Sequence, residues 1–282
     1  MIEDGIGTDV EEVHVFAYLR HPVPLYLSHI QQALKASSRF VAPQGYRRDT
    51  PATFLRWRGE PRCSTITARL FDRNHLISGS VVPDFEDYLR QTTGTSGVGL
   101  PDLQENSSLS TEQTILMQRF RRDFFAAEDG KFMPRSTQLV KFFEKLNNIG
   151  GTLGNKVALI DEVQSCIEQR NAPFVEKLNA IFPSLNMTRH YGSLTQNWQP
   201  YAKNWNEDVA SILVKKDGDI FLQLESLIPE YNSTLRSGDA SAAVANLLAL
   251  ADSPKSLRAF ANFLRTGGFE RAAAAVDSYM TG

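Results

Sequence analysis

The residues that most restrict the fold are VHVFAYLRHPVPLYLSHIQQALK, positions 13 to 35. VHVFAYL carries few charges and is rich in β-branched and aromatic side chains. That composition suits a strand buried on both faces, as in a parallel sheet. Pro22 and Pro24 mark the turn, and Pro24 suits the first helical turn, where a missing N–H costs nothing. Leu25, Ile30 and Leu34 then supply an apolar stripe, which predicts a helix to Ala36. The strand-turn-helix pattern recurs. A second strand is predicted over residues 65 to 71, then Asp72-Arg73, a Ser-Gly-Ser turn and an amphipathic helix over 82 to 90. Two such units predict an α/β chain.

The intervening residues 37 to 62 are polar, with prolines at 43, 51 and 61. They read as a loop with one short helix near Pro51 to Arg58. Residues 92 to 107 are rich in Gly, Thr and Ser and read as surface loop. From Ser110 the patterns are helical, opening on a Ser110–Gln113 capping box. Helices are predicted at 136–148, 156–170, 172–181, 205–215 and 218–227. LRSGDASAAV (235 to 244) and LRTGGFERAA (264 to 273) share a pattern at a separation of 29 residues. Each joins Leu-Arg, a small hydroxyl residue and Gly to an Ala-rich helix start. The pair reads either as helical hairpins similar to tetratricopeptide units or as two Ala-rich helices packed on the main body. The expected division is residues 1–190 and a helical region 191–282, with hairpins from about 232.

A chain of 282 residues can bury a large core in one domain or two. Its net charge of −2 gives no global pull towards nucleic acid or anionic membrane, so an anion site must be local. Cys63 and Cys166 belong to no CxxC pair, which argues against structural zinc and a disulfide framework. The N-terminus is acidic and lacks the apolar region of a signal peptide. No apolar run approaches the roughly 18 residues of a membrane span. A cytoplasmic location is expected, and the sequons at Asn106, Asn186 and Asn232 read as chance.

The candidate chemistry lies at the first turn. A helix N-terminus after a strand presents free N–H groups and a positive dipole end. Ligands of open α/β sheets sit at the carboxyl ends of the strands. Arg20 stands there with a guanidinium able to grip a phosphate bidentately. Ser28, in the first or second helical turn, adds a hydroxyl. The alternative is an arginine that is merely solvated.

Other features read as structural. The histidines at 14, 21, 29, 75 and 190 show no metal-ligand spacing; His21 and His29 flank the pocket and read either as ordinary surface residues or as aids to anion binding. Asp84 and Asp87 read as a solvated helix face. FLRWRGEPR (54 to 62) is short and Pro-interrupted for a nucleic-acid element. RFRRDFF (119 to 125) reads as a helix with one wet face. GTLGNKV (151 to 157) lacks the Lys-Ser/Thr ending and preceding strand of a phosphate loop.

YLRHPVPLYLSHIQQALK resembles the nucleotide 3′-phosphate segment of P-loop-type sulfotransferases, particularly divergent bacterial members. The matching residues are Arg20, Pro22 and Ser28. ITARLFDRNHLISGSVVPDFEDYL (66 to 89) is similar to the family's next strand, turn and helix, and NSSLSTEQTILMQRF (106 to 120) to its entry into the following helices. The resemblance covers about residues 13 to 185. It implies a partial parallel sheet of the P-loop nucleotide-binding type and 3′-phosphoadenosine 5′-phosphosulfate as sulfuryl donor. It assigns the nucleotide's 3′-phosphate to Arg20 and Ser28, and it implies a hydroxyl acceptor, with carbohydrate the expected class. No metal is implied, and no catalytic residue is assigned.

The family's Gly-containing phosphosulfate loop, with its Lys or Arg, lies well ahead of the Arg/Ser element. Only 19 residues precede Arg20, and GIGTD (5 to 9) has no basic residue. The expectation is therefore an N-terminally incomplete sulfotransferase domain, either a truncated frame or a degenerate protein, weak or inactive alone. The rival expectations are a non-catalytic nucleotide-binding or scaffold protein, and a module whose C-terminal helices bind a protein partner.

Overall fold

A computed structural model describes residues 10–95, 99–101, 108–150, 153–187, 205, 207–251 and 253–281. GIGTD, Asn106 and His190 lie outside these residues, as do parts of GTLGNKV, of NSSLS and of the helix predicted over 205–215. The chain is α/β and mostly helical, with eleven α-helices and two parallel strands among the described residues. It divides into two compact units. The first comprises Met1–Tyr26, Gln44–Leu103 and Gln164–Trp198; the second comprises Leu27–Pro43, Gln104–Val163 and Gln199–Gly282. Each unit is thus assembled from three stretches, whereas the expected division at residue 190 is contiguous.

The first unit is built on strands β1 (Val13–Leu19) and β2 (Cys63–Leu70), paired in parallel with Ala17 beside Ala68 and Leu19 beside Leu70. Strand alternation sends these residues to one face. There they join a core of Leu19, Phe54, Ala68, Leu178, Phe182, Leu185 and Met187. Phe54 comes from helix α2 (Thr50–Arg58), and Leu178 from helix α6 (Asp161–Ile181). Phe16 and Tyr18 point to the opposite face. Phe16 packs on Phe85 and Tyr88 of helix α3 (Val81–Thr93), with ring centroids 5.5 and 4.2 Å apart. Both faces are covered, yet six of the seven β1 residues are only half-buried, because the sheet is two strands wide. Helix α1 (Pro22–Ala36) follows β1, and its first five residues belong to this unit.

The second unit is helical and centres on α4 (Thr111–Phe124). Ser110 and Gln113 form the expected capping box. α4 packs on α5 (Pro134–Gly150) and α7 (Gly218–Ser226), α7 on α9 (Ser241–Leu250) and α5 on α10 (Pro254–Thr266); α10 also packs on α9 and α11 (Glu270–Thr281), and α11 on α8 (Ser233–Ser237). The repeated C-terminal segments take equivalent places: each ends one helix, turns and starts the next. Leu235 and Leu264 are fully buried, as are Ala243 and Ala272. The turns need glycine at positive φ, met by Gly238 at 98° and Gly268 at 82°.

Several expectations are corrected. Residues 161 to 181 form one helix through Pro173, not two, while Leu159 bridges Leu213 as a single antiparallel β pair. Val209–Ser211 is one 3₁₀ turn where a helix was expected. RFRRDFF does have one wet face, with Arg119, Arg122 and Asp123 exposed, while Arg121 is fully buried. Its guanidinium donates to the Ala36 carbonyl at 2.6 Å, the Glu128 carbonyl at 2.8 Å and Ser136 Oγ at 3.3 Å. A fixed fork of donors lets one buried cation close three orphan acceptors.

Candidate functional site

Leu19 ends β1, and its carbonyl accepts the Phe71 amide at 2.6 Å, so the two strands finish together. Arg20 therefore leaves the carboxyl end of the sheet beside Phe71. Its guanidinium carbon lies 4.3 Å from the Phe71 ring centroid. Arg20 is half-buried, and desolvation holds its pKa below the usual arginine value. Among the described residues no carboxylate pairs with it. A guanidinium in that state is stabilised by any anion that reaches it.

Arg20 lines a cavity of about 20 Å³ with Arg48, Thr50, Asn171 and several apolar residues. Asn171 builds the opposite wall. Its side-chain oxygen accepts the Arg48 amide at 3.0 Å, and its NH₂ donates to the Tyr46 carbonyl at 3.1 Å and the Ile167 carbonyl at 2.8 Å. One buried amide thus ties the loop carrying Arg48 to α6. Tyr46 itself packs on Tyr26, centroids 4.7 Å apart. Burial raises the Tyr46 pKa, and its hydrogen bond with Arg48 acts the other way. Two arginines, a threonine and an asparagine are thus among the residues lining a space about the size of one water or one phosphate oxygen.

The helix terminus contributes less than its position suggested. α1 begins at Pro22, and Pro24 also lies in its first turn. Two of the first three helical residues therefore lack an N–H, leaving Val23 to offer one. The anion affinity of this corner rests on side chains. Ser28 sits in the second turn of α1, half-buried, in the part of the helix that belongs to the second unit.

A second cavity, of about 130 Å³, shares Pro22, Val175 and Met187 with the first and is lined by His21, Glu168, Glu176 and Asn179. His21, expected at the surface, is 5% exposed. Asn179 accepts the Met187 amide and donates to the Met187 carbonyl, both at 2.9 Å, which pins the shared wall. His29 is half-buried on α1. His14 bonds Thr65 Oγ1 across the strands at 2.8 Å, and His75 lies 3.6 Å from Asp72.

Asp84, expected in solvent, is 2% exposed. It accepts the Tyr18 hydroxyl at 2.7 Å and faces Arg69 at 3.0 Å; Arg69 also reaches Asp87 at 3.6 Å. Burial first, then the bond to Asp84, raises the Tyr18 pKa well above the usual tyrosine value. Asp87 accepts Arg90, which holds its pKa below the usual carboxylate range. This network joins β1, β2 and α3, and the Tyr18 ring lies 6.2 Å from the Phe71 ring. Sequence reading missed it because the i, i+3 spacing of two acids equally describes a solvated face. The available signal was a tyrosine and an arginine on neighbouring strands.

GTLGNKV has its own anion, within the second unit. Glu112 is fully buried and accepts the Asn155 amide at 2.9 Å, the Asn155 side chain at 3.1 Å and the Asp217 amide at 2.8 Å. A Cβ on Gly154, at φ +96°, would collide with a Glu112 carboxylate oxygen. The loop is shaped around a carboxylate of its own chain, which agrees with rejecting it as a phosphate loop. Among the described residues no group of three or more His, Cys, Asp or Glu is placed to hold a metal. Nor is any helix long and apolar enough to cross a membrane. Compared with protein-family models, curated proteins and solved structures, the chain matches none.

Proposed function

We propose that this chain is a sulfotransferase-like protein of the P-loop nucleotide-binding type that holds the 3′-phosphate of 3′-phosphoadenosine 5′-phosphosulfate. The observation that carries the reading is Arg20. It is half-buried at the carboxyl end of a parallel strand, without a carboxylate partner among the described residues, at a cavity shared with Arg48. Arg20 grips the phosphate and Arg48, on the same cavity, adds charge. Phe71, partly exposed beside Arg20, offers an aromatic ring to the nucleoside.

In transfer, an acceptor hydroxyl would attack sulfur in line with the departing phosphate oxygen and lose its proton to a base. No described residue is assigned that base or the contact to the 5′-phosphosulfate. Binding without efficient turnover is therefore the expected behaviour of the isolated chain. A second reading, an interaction protein acting through its C-terminal helices, draws on the repeated segments that join α8 to α9 and α10 to α11.

Calorimetric titration with adenosine 3′,5′-bisphosphate tests the proposal. Wild type should bind saturably, and Arg20→Ala should weaken binding about 10- to 100-fold, equivalent to roughly 1.5–3 kcal/mol for a charged hydrogen bond. No binding by a chain that still melts cooperatively would sink the nucleotide reading and favour the second.

A further inference from the structure

Among the described residues, β1 pairs on one side only, with β2. Val13 donates its amide to the Arg62 carbonyl at 2.8 Å, and the Leu19 carbonyl accepts the Phe71 amide at 2.6 Å. Odd-numbered residues of β1 thus turn their backbone groups towards β2. Backbone direction alternates along a strand, so His14, Phe16 and Tyr18 each turn an N–H and a C=O the other way. None of these groups is hydrogen-bonded among the described residues. Such an edge is a template for another strand unless charge, proline, a bulge or shortness blunts it. β1 has seven residues, VHVFAYL, without Lys, Arg, Asp, Glu, Pro or Gly. β2 is blunted. It carries Arg69, and the register shift between Val13 and His14 leaves Ser64 as a bulge with no residue opposite.

We propose that the free edge of β1 pairs antiparallel with the same edge of a second copy of this chain, making a four-stranded sheet across a two-fold axis. The occupant follows from self-complementarity. With the axis at Phe16, that residue stands opposite its own counterpart, His14 opposite Tyr18, Val15 opposite Ala17 and Val13 opposite Leu19. Residues 14, 16 and 18 then meet as hydrogen-bonded pairs, and every outward N–H finds an outward C=O. Opposite residues share a face. Ala17 and Leu19 therefore extend the apolar core face, while Phe16 and Tyr18 extend the aromatic one. No two like charges stand opposite each other. A strand of another protein would need this match built into its own sequence, whereas a second copy supplies it at every position. Seven residues span about 23 Å, and such an edge buries less than the roughly 1,200 Å² of a tight dimer, so micromolar association is expected. The inference does not rest on the nucleotide reading: the two Arg20 corners lie at opposite ends of the joined strands.

Sedimentation equilibrium of the full chain across the micromolar range tests the proposal, with His14→Pro beside His14→Ala. The His14 N–H points away from β2, so proline there removes no bond between β1 and β2, but it removes a donor from each copy at the new interface. Both variants lose the side-chain bond to Thr65, so that loss does not separate them. Wild type and His14→Ala should share one monomer–dimer equilibrium, and His14→Pro should weaken it about tenfold or more. A wild type that stays monomeric, or a His14→Pro chain that dimerises equally well, would overturn the proposal. So would an equal loss in both variants, which would assign the effect to the imidazole. Amide exchange on wild type needs no variant and covers a His14→Pro chain that does not fold. The amides of His14, Phe16 and Tyr18 should exchange more slowly as protein concentration rises. Exchange there that is independent of concentration would sink the pairing.

Discussion

At the scale of the residue, burial changes what side chains with ordinary sequence signatures do. Asp84 and Asp87 are three positions apart on one helix, yet one is enclosed behind Tyr18 and Arg69 while the other faces Arg90. Tyrosines supply the measurable consequence. Tyr18, Tyr26 and Tyr231 all have pKa values raised first by burial; Asp84 adds to the effect at Tyr18, and Asp123 at Tyr231. The folded chain therefore keeps protons that the unfolded chain gives up near pH 10. Their contribution to stability is complete below that pH and is lost as pH rises towards the folded values. Urea midpoints should hold from pH 8 to 9 and fall from pH 10 to 11, less steeply in Tyr26→Phe than in wild type. A midpoint that stays level to pH 11 would show that these tyrosines ionise within the folded state.

At the scale of the element, local signals were legible where one residue type fixes the backbone. The Ser110–Gln113 box, Asp49 and the glycine turns of the C-terminal hairpins all follow from capping and φ preference. The strand-turn-helix units were legible too, because periodicity and proline placement agree there. The signal failed at Pro173. Proline usually ends a helix, but α6 runs on, with Asn171 tied to Tyr46, Ile167 and Arg48 and Leu178 in the sheet core. It failed again at 205–215, where apolar residues at helical spacing instead serve a 3₁₀ turn and a bridge to Leu159. The C-terminal repeat has a clear energetic content. Leu264→Ala should cost roughly 2–5 kcal/mol in chemical denaturation, as should Leu235→Ala, since both leucines are fully enclosed. Arg265→Ala, which removes an exposed pair with Asp277, should cost less than about 1 kcal/mol. Similar losses at all three positions would mean that the repeat is not a packing unit.

At the scale of the whole molecule, the chain passes between its two compact units five times, and neither unit is a contiguous stretch. The second draws α4 and α5 together with α7 to α11, and Phe142 of α5 stacks on Phe263 of α10 with centroids 4.4 Å apart. A fragment of residues 191–282 lacks that partner and should show poor amide dispersion and no cooperative melt. A well-dispersed, cooperatively melting fragment would establish the C-terminal third as an independent domain.

The sequence by itself determined the α/β class, the positions of β1, β2 and most helices, and Arg20 at the carboxyl end of a strand. Those depend on periodicity, caps and punctuation, which act over a few neighbouring residues. Only the tertiary structure decided which charges are enclosed, that Pro22 and Pro24 strip donors from the start of α1, and that Arg48 and Asn171 join Arg20. Arg20, Arg48 and Asn171 come from three separate stretches of chain, and no local pattern encodes which distant backbone will arrive to desolvate or pair a side chain.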